Sequence, residues 1–204
     1  MDPGVDDALA LLLALGCADA EVVAVTTVHG NVSVEKGAGN ALRILALADA
    51  PQIPVYRGEG APLEGPAIHA EHVHGQGGLG AARLPAPDAA VAGDAVAFLI
   101  EELSRQPGSL TLVATGPLTN LAAAERRRPG VLTQAGGIVI MGGSIHEPGN
   151  ASPRGEFNVV ADAVAAREVL NSGATVLLVP LDATRQVLLT VEAMERMARE
   201  APEP

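Results

Sequence analysis

The sequence predicts an α/β fold, a mostly parallel sheet with helices on both faces, and three observations carry that reading. Short Val-rich runs alternate with Ala-rich helical stretches, the order in which a strand crosses to its parallel neighbour through a helix. Apolar residues make up 48% of the chain but aromatics only 1%, so the core must be assembled from Ala, Val and Leu. The polar motifs fall just after the strand-like runs, and ligands of a parallel sheet bind beyond the carboxyl ends of its strands. A length of 204 residues suits a single domain over residues 1–204, and no repeat or linker divides it.

The first predicted element is a helix over Asp7–Leu15, opened by the segment M-D-P-G-V-D-D at Met1–Asp7. Pro3 and Gly4 force a tight turn, and the acidic residues after it suit a helix start. The run A-L-A-L-L-L-A-L-G-C-A resembles the apolar part of a signal peptide, but Asp2, Asp6 and Asp7 precede it where a basic start is needed. It is therefore read as a buried helix. Strands are predicted at Val22–Val28, Ile53–Tyr56, Leu110–Ala114, Gly137–Met141 and Thr175–Val179 from their β-branched content. Further helices follow at Val34–Ala48, Asp94–Arg105, Leu118–Arg127, Ala161–Asn171 and Val191–Glu200. The stretch Gly58–Ala92, rich in Gly, Pro and His, has no period and reads as a long loop of the functional or mobile kind.

Charge and cysteine usage narrow the partners. A net charge of −11 argues against nucleic acid and against an anionic membrane surface. No run reaches the length of a membrane span. The lone Cys17 can form no intrachain disulfide, which fits a reducing, cytoplasmic compartment.

Several clusters carry chemistry. Asp2, Asp6 and Asp7 repel one another unless a positive group sits among them, and a hard divalent cation such as Ca²⁺ is the simplest one. Helix capping accounts for one or two of the same aspartates. Asn150, Glu156 and Asn158 lie on a stretch of turn formers, which reads either as a solvated loop or as a binding set beyond a strand end. Asp182 reads as a cap for the segment after Pro180 in preference to a supporting acid of the site. G-Q-G-G-L-G at Gly75–Gly80 matches G-x-G-x-x-G, but without a strand before it or a helix after it dinucleotide binding is not expected. His69, His72 and His74 admit a zinc or iron site, although an exposed His-rich loop is the commoner explanation.

A family resemblance runs through the same residues. D-P-G-x-D-D at Asp2–Asp7 is followed by T-T-V-H-G-N at Thr26–Asn31, I-P-V-Y-R-G at Ile53–Gly58, V-H-G at Val73–Gly75 and T-G-P-L-T-N at Thr115–Asn120. M-G-G at Met141–Gly143, the set Asn150, Glu156 and Asn158, and V-P-L-D at Val179–Asp182 complete the order. In these motifs the chain resembles the nucleoside hydrolases of the inosine-uridine-preferring type over essentially its whole length. The resemblance implies a Rossmann-like nucleoside hydrolase fold that cleaves the N-glycosidic bond of ribonucleosides, giving free base and ribose with Ca²⁺ and water. It makes Asp2 a calcium ligand and the catalytic base, Asp7 a second ligand and the Thr115 carbonyl a third. Asp6, Asn31, Asn150, Glu156 and Asn158 would bind the ribose, with Met141 beside them and His74 near the base. It also implies a homo-oligomer, a dimer or tetramer. The chain departs from the family at both ends: the first Asp of D-x-D, the strand before it and a later His-Asp pair have no counterpart here. An incomplete sheet and impaired catalysis are the resulting expectations, with a non-catalytic ribose-binding or interaction protein as the second reading.

Overall fold

The computed structural model describes residues 1–200. Strands β1 (Val25–Thr27), β2 (Val55–Arg57) and β3 (Gly93–Asp94) form one parallel sheet, and β4 (Thr111–Ala114), β5 (Gly137–Met141) and β6 (Val176–Val179) form another, each in chain order. The expected α/β class with parallel strands forms, and the sheet is interrupted as the expectation of an incomplete one had it, since β1 and β4 are not paired. Main-chain groups of Met1 bond along the free edge of β1 instead, Met1 N donating to the Thr26 carbonyl at 3.0 Å and Val28 N donating to the Met1 carbonyl at 3.1 Å. The strand predicted from Val22 starts only at Val25, because its partner begins after Pro54, which has no N–H to give a ladder.

Helices α1 (Val5–Gly16), α2 (Val34–Leu47), α4 (Ala95–Arg105), α5 (Thr119–Arg127) and α9 (Val191–Glu200) occupy the predicted places, and a single turn, α3 (Glu71–His74), interrupts the long loop. The helix expected over Ala161–Asn171 is instead α6 (Phe157–Ala161) and α7 (Ala163–Leu170). Asp162 separates them, its carboxylate accepting from Ala165 N at 3.0 Å as the cap of α7. A further turn, α8 (Leu181–Thr184), follows β6.

The core has two parts. Leu11, Val25, Ala41, Ile44, Leu45 and Val55 pack together around the first sheet. Leu99, Leu103, Leu121, Leu132, Ile138 and Ile140 pack around the second, where α4, α5 and α7 cover one face. On the opposite face Val113 and Leu177 remain exposed. Tyr56 and Phe98 stack with ring centroids 4.0 Å apart and tie β2 to α4. The expected Ala, Val and Leu core is what forms. The reading of α1 as a buried helix is corrected: only Asp7 and Leu11 are inside, while Leu13 is 76% exposed, because the helix packs against α2 and the first core along one side only. Among the described residues no helix is long and apolar enough to cross a membrane.

Candidate active site

The carboxyl ends of both sheets converge on Asp2. Its side chain is fully buried, with Oδ2 accepting from Asn31 N at 2.6 Å and Oδ1 left with no partner. Gly30 and Gly116 wall this carboxylate so closely that a Cβ at either would overlap it. Asp7, also buried, accepts from Gly4 N at 3.1 Å and from Asn31 Nδ2 at 3.2 Å through Oδ2, while Thr115 Oγ1 donates to its Oδ1 at 2.5 Å. Asp7 thus caps α1 and faces the site at the same time, so the two readings of the acidic cluster are compatible at this residue.

Burial pushes the Asp2 carboxyl well above the usual range, and the neighbouring Asp7 charge adds to it against the Asn31 N–H. Burial likewise raises Asp7, the Asp6 charge contributing and the Thr115 hydroxyl and Gly4 N–H opposing. Two buried carboxylates side by side, one with an orphaned oxygen, favour a cation of hard-oxygen preference. The donor set Asp2, Asp7 and the Thr115 carbonyl fits Ca²⁺ on that ground. The simple picture of three aspartates around one ion is corrected. Asp6 is exposed, 3.7 Å from His74 Nδ1, and no group of three or more His, Cys, Asp or Glu converges on a metal position among the described residues.

The second half of the site is built differently. Glu156 is buried and caps α6, with Oε1 accepting from Asn158 N at 3.0 Å and Oε2 from Gly143 N at 2.9 Å and Val159 N at 3.2 Å. Asn158 lies in α6, and its Nδ2 donates to the carbonyls of Thr115 and Met141, each at 3.1 Å. Glu156 and Asn158 are therefore part of the folded interior, and the solvated-loop reading is overturned for both. Asn150 remains on the loop, where its Oδ1 accepts from Phe157 N at 2.7 Å. Asp182 sits in the first turn of α8 but does not cap it. Its carboxylate accepts from Ile145 N and His146 N at 2.8 Å and from Glu147 N at 3.3 Å, holding the loop that leads to Asn150, and these N–H groups, Ile145 foremost, lower its pKa.

His74 reaches the mouth of the site from α3, its Nδ1 accepting from Val5 N at 3.3 Å. His69 Nδ1 lies 2.9 Å from the Gly30 carbonyl, and the zinc or iron reading of the three histidines has no converging geometry. Gly75–Gly80 forms turns with neither a strand before nor a helix after, as expected. Two shallow clefts, one lined by Leu15, Val22, Ile53 and Pro54, include none of the site residues. Sequence reading missed Asn40, His29, Thr119, Asn120 and Asp162, all buried polar residues close to the site. Three of them stand inside T-T-V-H-G-N and T-G-P-L-T-N, so the motifs held the signal, but only burial reveals which members face inward.

Fold and site together define an α/β protein with a buried pair of carboxylates at the carboxyl ends of parallel strands. A sequence profile described as "Inosine-uridine preferring nucleoside hydrolase" matches residues 1–203. The inosine-uridine preferring nucleoside hydrolase of Leishmania major is 40% identical over 207 residues, covering 100% of this chain and 65% of the relative. Uridine nucleosidase 1 of Arabidopsis thaliana is 40% identical over 192 residues, covering 93% and 57%. The solved purine-preferring ribonucleoside hydrolase of Gardnerella vaginalis superposes with a TM-score of 0.94 at 34% identity, covering 98% of this chain and 65% of that one. The chain belongs to the inosine-uridine preferring nucleoside hydrolase family, and it spans about 57 to 65% of the length of these relatives.

Proposed function

We propose that the chain acts in the hydrolysis of ribonucleosides to free base and ribose, with Ca²⁺ held by Asp2, Asp7 and the Thr115 carbonyl. The observation that carries this reading is the buried, unpartnered Oδ1 of Asp2. When bound, the cation supplies positive charge that acidifies the attacking water and anchors ribose hydroxyls. Asp2 takes the water's proton, a role open to an oxygen that no protein group occupies. Asn31, Asp6, Asn150, Glu156 and Asn158 receive the ribose hydroxyls, whose hydrogen bonds strengthen as the sugar gains oxocarbenium character. Asn158 can do so through Oδ1, since its Nδ2 is engaged by the two carbonyls. His74, which accepts from Val5 N at the start of α1, is the residue assigned to the base, and Met141, against Asn158 Nδ2, lies next to the ribose set. The names of the relatives span uridine, inosine and purine preference, so both purine and pyrimidine nucleosides belong in the test.

A second reading, ribose binding without turnover, is favoured by one observation: among the described residues no group of three or more His, Cys, Asp or Glu is placed to hold a metal ion. Release of free ribose from inosine and uridine, with calcium and with a chelator, separates the readings. Calcium-dependent release supports hydrolysis; ribose binding by calorimetry without release supports the second reading; neither binding nor release contradicts both.

A further inference from the structure

We infer that His29 is a positioning residue, a neutral imidazole protonated on Nε2 that locks the first-sheet half of the site to the second through Thr119 and Asp162. The inference rests on the site assignment above for what is being positioned, and on hydrogen-bond accounting for how. His29, Thr119 and Asp162 are all buried. His29 Nε2 lies 2.9 Å from Thr119 Oγ1, which lies 2.8 Å from Asp162 Oδ2. A hydroxyl has one proton to donate. Asp162 also accepts from Leu63 N at 2.9 Å through Oδ2 and from Ala165 N at 3.0 Å through Oδ1, so both its oxygens act as acceptors and the Thr119 proton goes to Asp162. His29 must then donate through Nε2–H, which leaves Nδ1 as a lone pair, and Nδ1 is the buried ring atom without a partner. Burial also pulls the imidazole pKa down, with Asp162 opposing.

The elements joined in this way are those that carry the site. His29 stands two residues before Asn31, Thr119 opens the helix that follows Thr115, and Asp162 closes α6, which carries Asn158. β1 and β4 are not hydrogen-bonded to each other, and side-chain bridges join the two halves beside the Tyr56–Phe98 stack. Asn120 runs parallel to this one, its Nδ2 donating to the Thr27 carbonyl and its Oδ1 accepting from Glu59 N, both at 2.8 Å.

Two-bond ¹⁵N–¹H NMR of the histidine rings in the unaltered chain reads the tautomer directly, and the Nε2–H pattern is expected for His29. In the same spectra His29→Leu and Thr119→Val should shift the backbone amides of both Asn31 and Gly116. His29→Gln and Thr119→Ser, which keep the donor and the hydroxyl, should restore them. Calcium titration of the same variants should show about tenfold weaker binding for the disruptive pair only, the size usual for a group that orients a ligand from behind. An Nδ1–H tautomer, or unmoved amides at both loops in His29→Leu, overturns the positioning role. Absence of calcium binding in the unaltered chain counts against the calcium reading and leaves the tautomer and amide results to decide for or against His29.

Discussion

The two halves of the site hold their carboxylates in opposite ways. On the second sheet, Glu156 has both oxygens engaged by main-chain N–H groups and Asn158 is fixed by two carbonyls. On the first, Asp2 and Asp7 are equally buried, yet one oxygen has no partner and both carboxyls are pushed above their usual range. A satisfied buried carboxylate rigidifies the structure around it, whereas an unsatisfied one stores a demand for positive charge. The difference teaches that the second half is internally satisfied and the first is not, which under the proposed function suits the one to a neutral sugar and the other to a cation.

If that contrast is right, substitutions in the two halves separate in kind as well as size. Asp2→Asn and Asp7→Asn are each expected to weaken calcium binding about a hundredfold, equivalent to about 2.7 kcal/mol, while leaving the chain folded. Calorimetry checks this, and unchanged affinity in both variants would break the comparison. Zn²⁺ should bind more weakly than Ca²⁺ in the unaltered chain, since every proposed donor is oxygen. Asn158→Ala should lower kcat/KM for inosine and uridine about tenfold with calcium affinity little changed, measured by ribose release.

The pH dependence sharpens the same contrast. Asp2 and Asp7 have folded-state pKa values above their ordinary 3.8, so the folded chain favours their neutral forms. Their contribution to stability is therefore complete below pH 3.8 and is lost as pH rises through the raised folded values. Denaturant unfolding without calcium should show that loss, and saturating calcium, by binding the ionised pair, should offset it by about 2.7 kcal/mol at a hundred times Kd. The smallest effect is expected at Asp182, where Asp182→Asn should loosen the 145–147 loop, read as faster amide hydrogen exchange at Ile145 and His146, leaving calcium affinity unchanged.

What could be read from sequence follows the same division. Asp2 and Asp7 announce themselves because acidic residues around a Pro-Gly turn are chemically unusual, Asn31 is reached through the T-T-V-H-G-N motif after the first strand, and the alternation of Val-rich and Ala-rich runs fixes the α/β class. The two-residue strand at Gly93–Asp94 leaves no periodic signal, and neither does the break at Asp162, whose cap geometry depends on α5 lying beside it. The exposure of α1 was equally illegible, since an apolar run reports what could be buried and not what packs against it. Glu156 and Asn158 looked like loop residues because turn formers precede them; the helix they begin becomes visible only when the Glu156 carboxylate is seen capping it. Asp182 shows the limit most plainly: its residue type announced a cap, but the N–H groups it serves are 35 to 37 residues away in sequence.

Calcium titration of the unaltered chain in two buffers of different ionisation enthalpy tests the claim of an unsatisfied, proton-holding carboxylate pair most directly. At mildly acidic pH, binding should release protons as Asp2 and Asp7 give theirs up to the cation, and the release should diminish as pH rises. Calcium binding with no proton release at any pH in the acid range, or no calcium binding at all, would contradict the account.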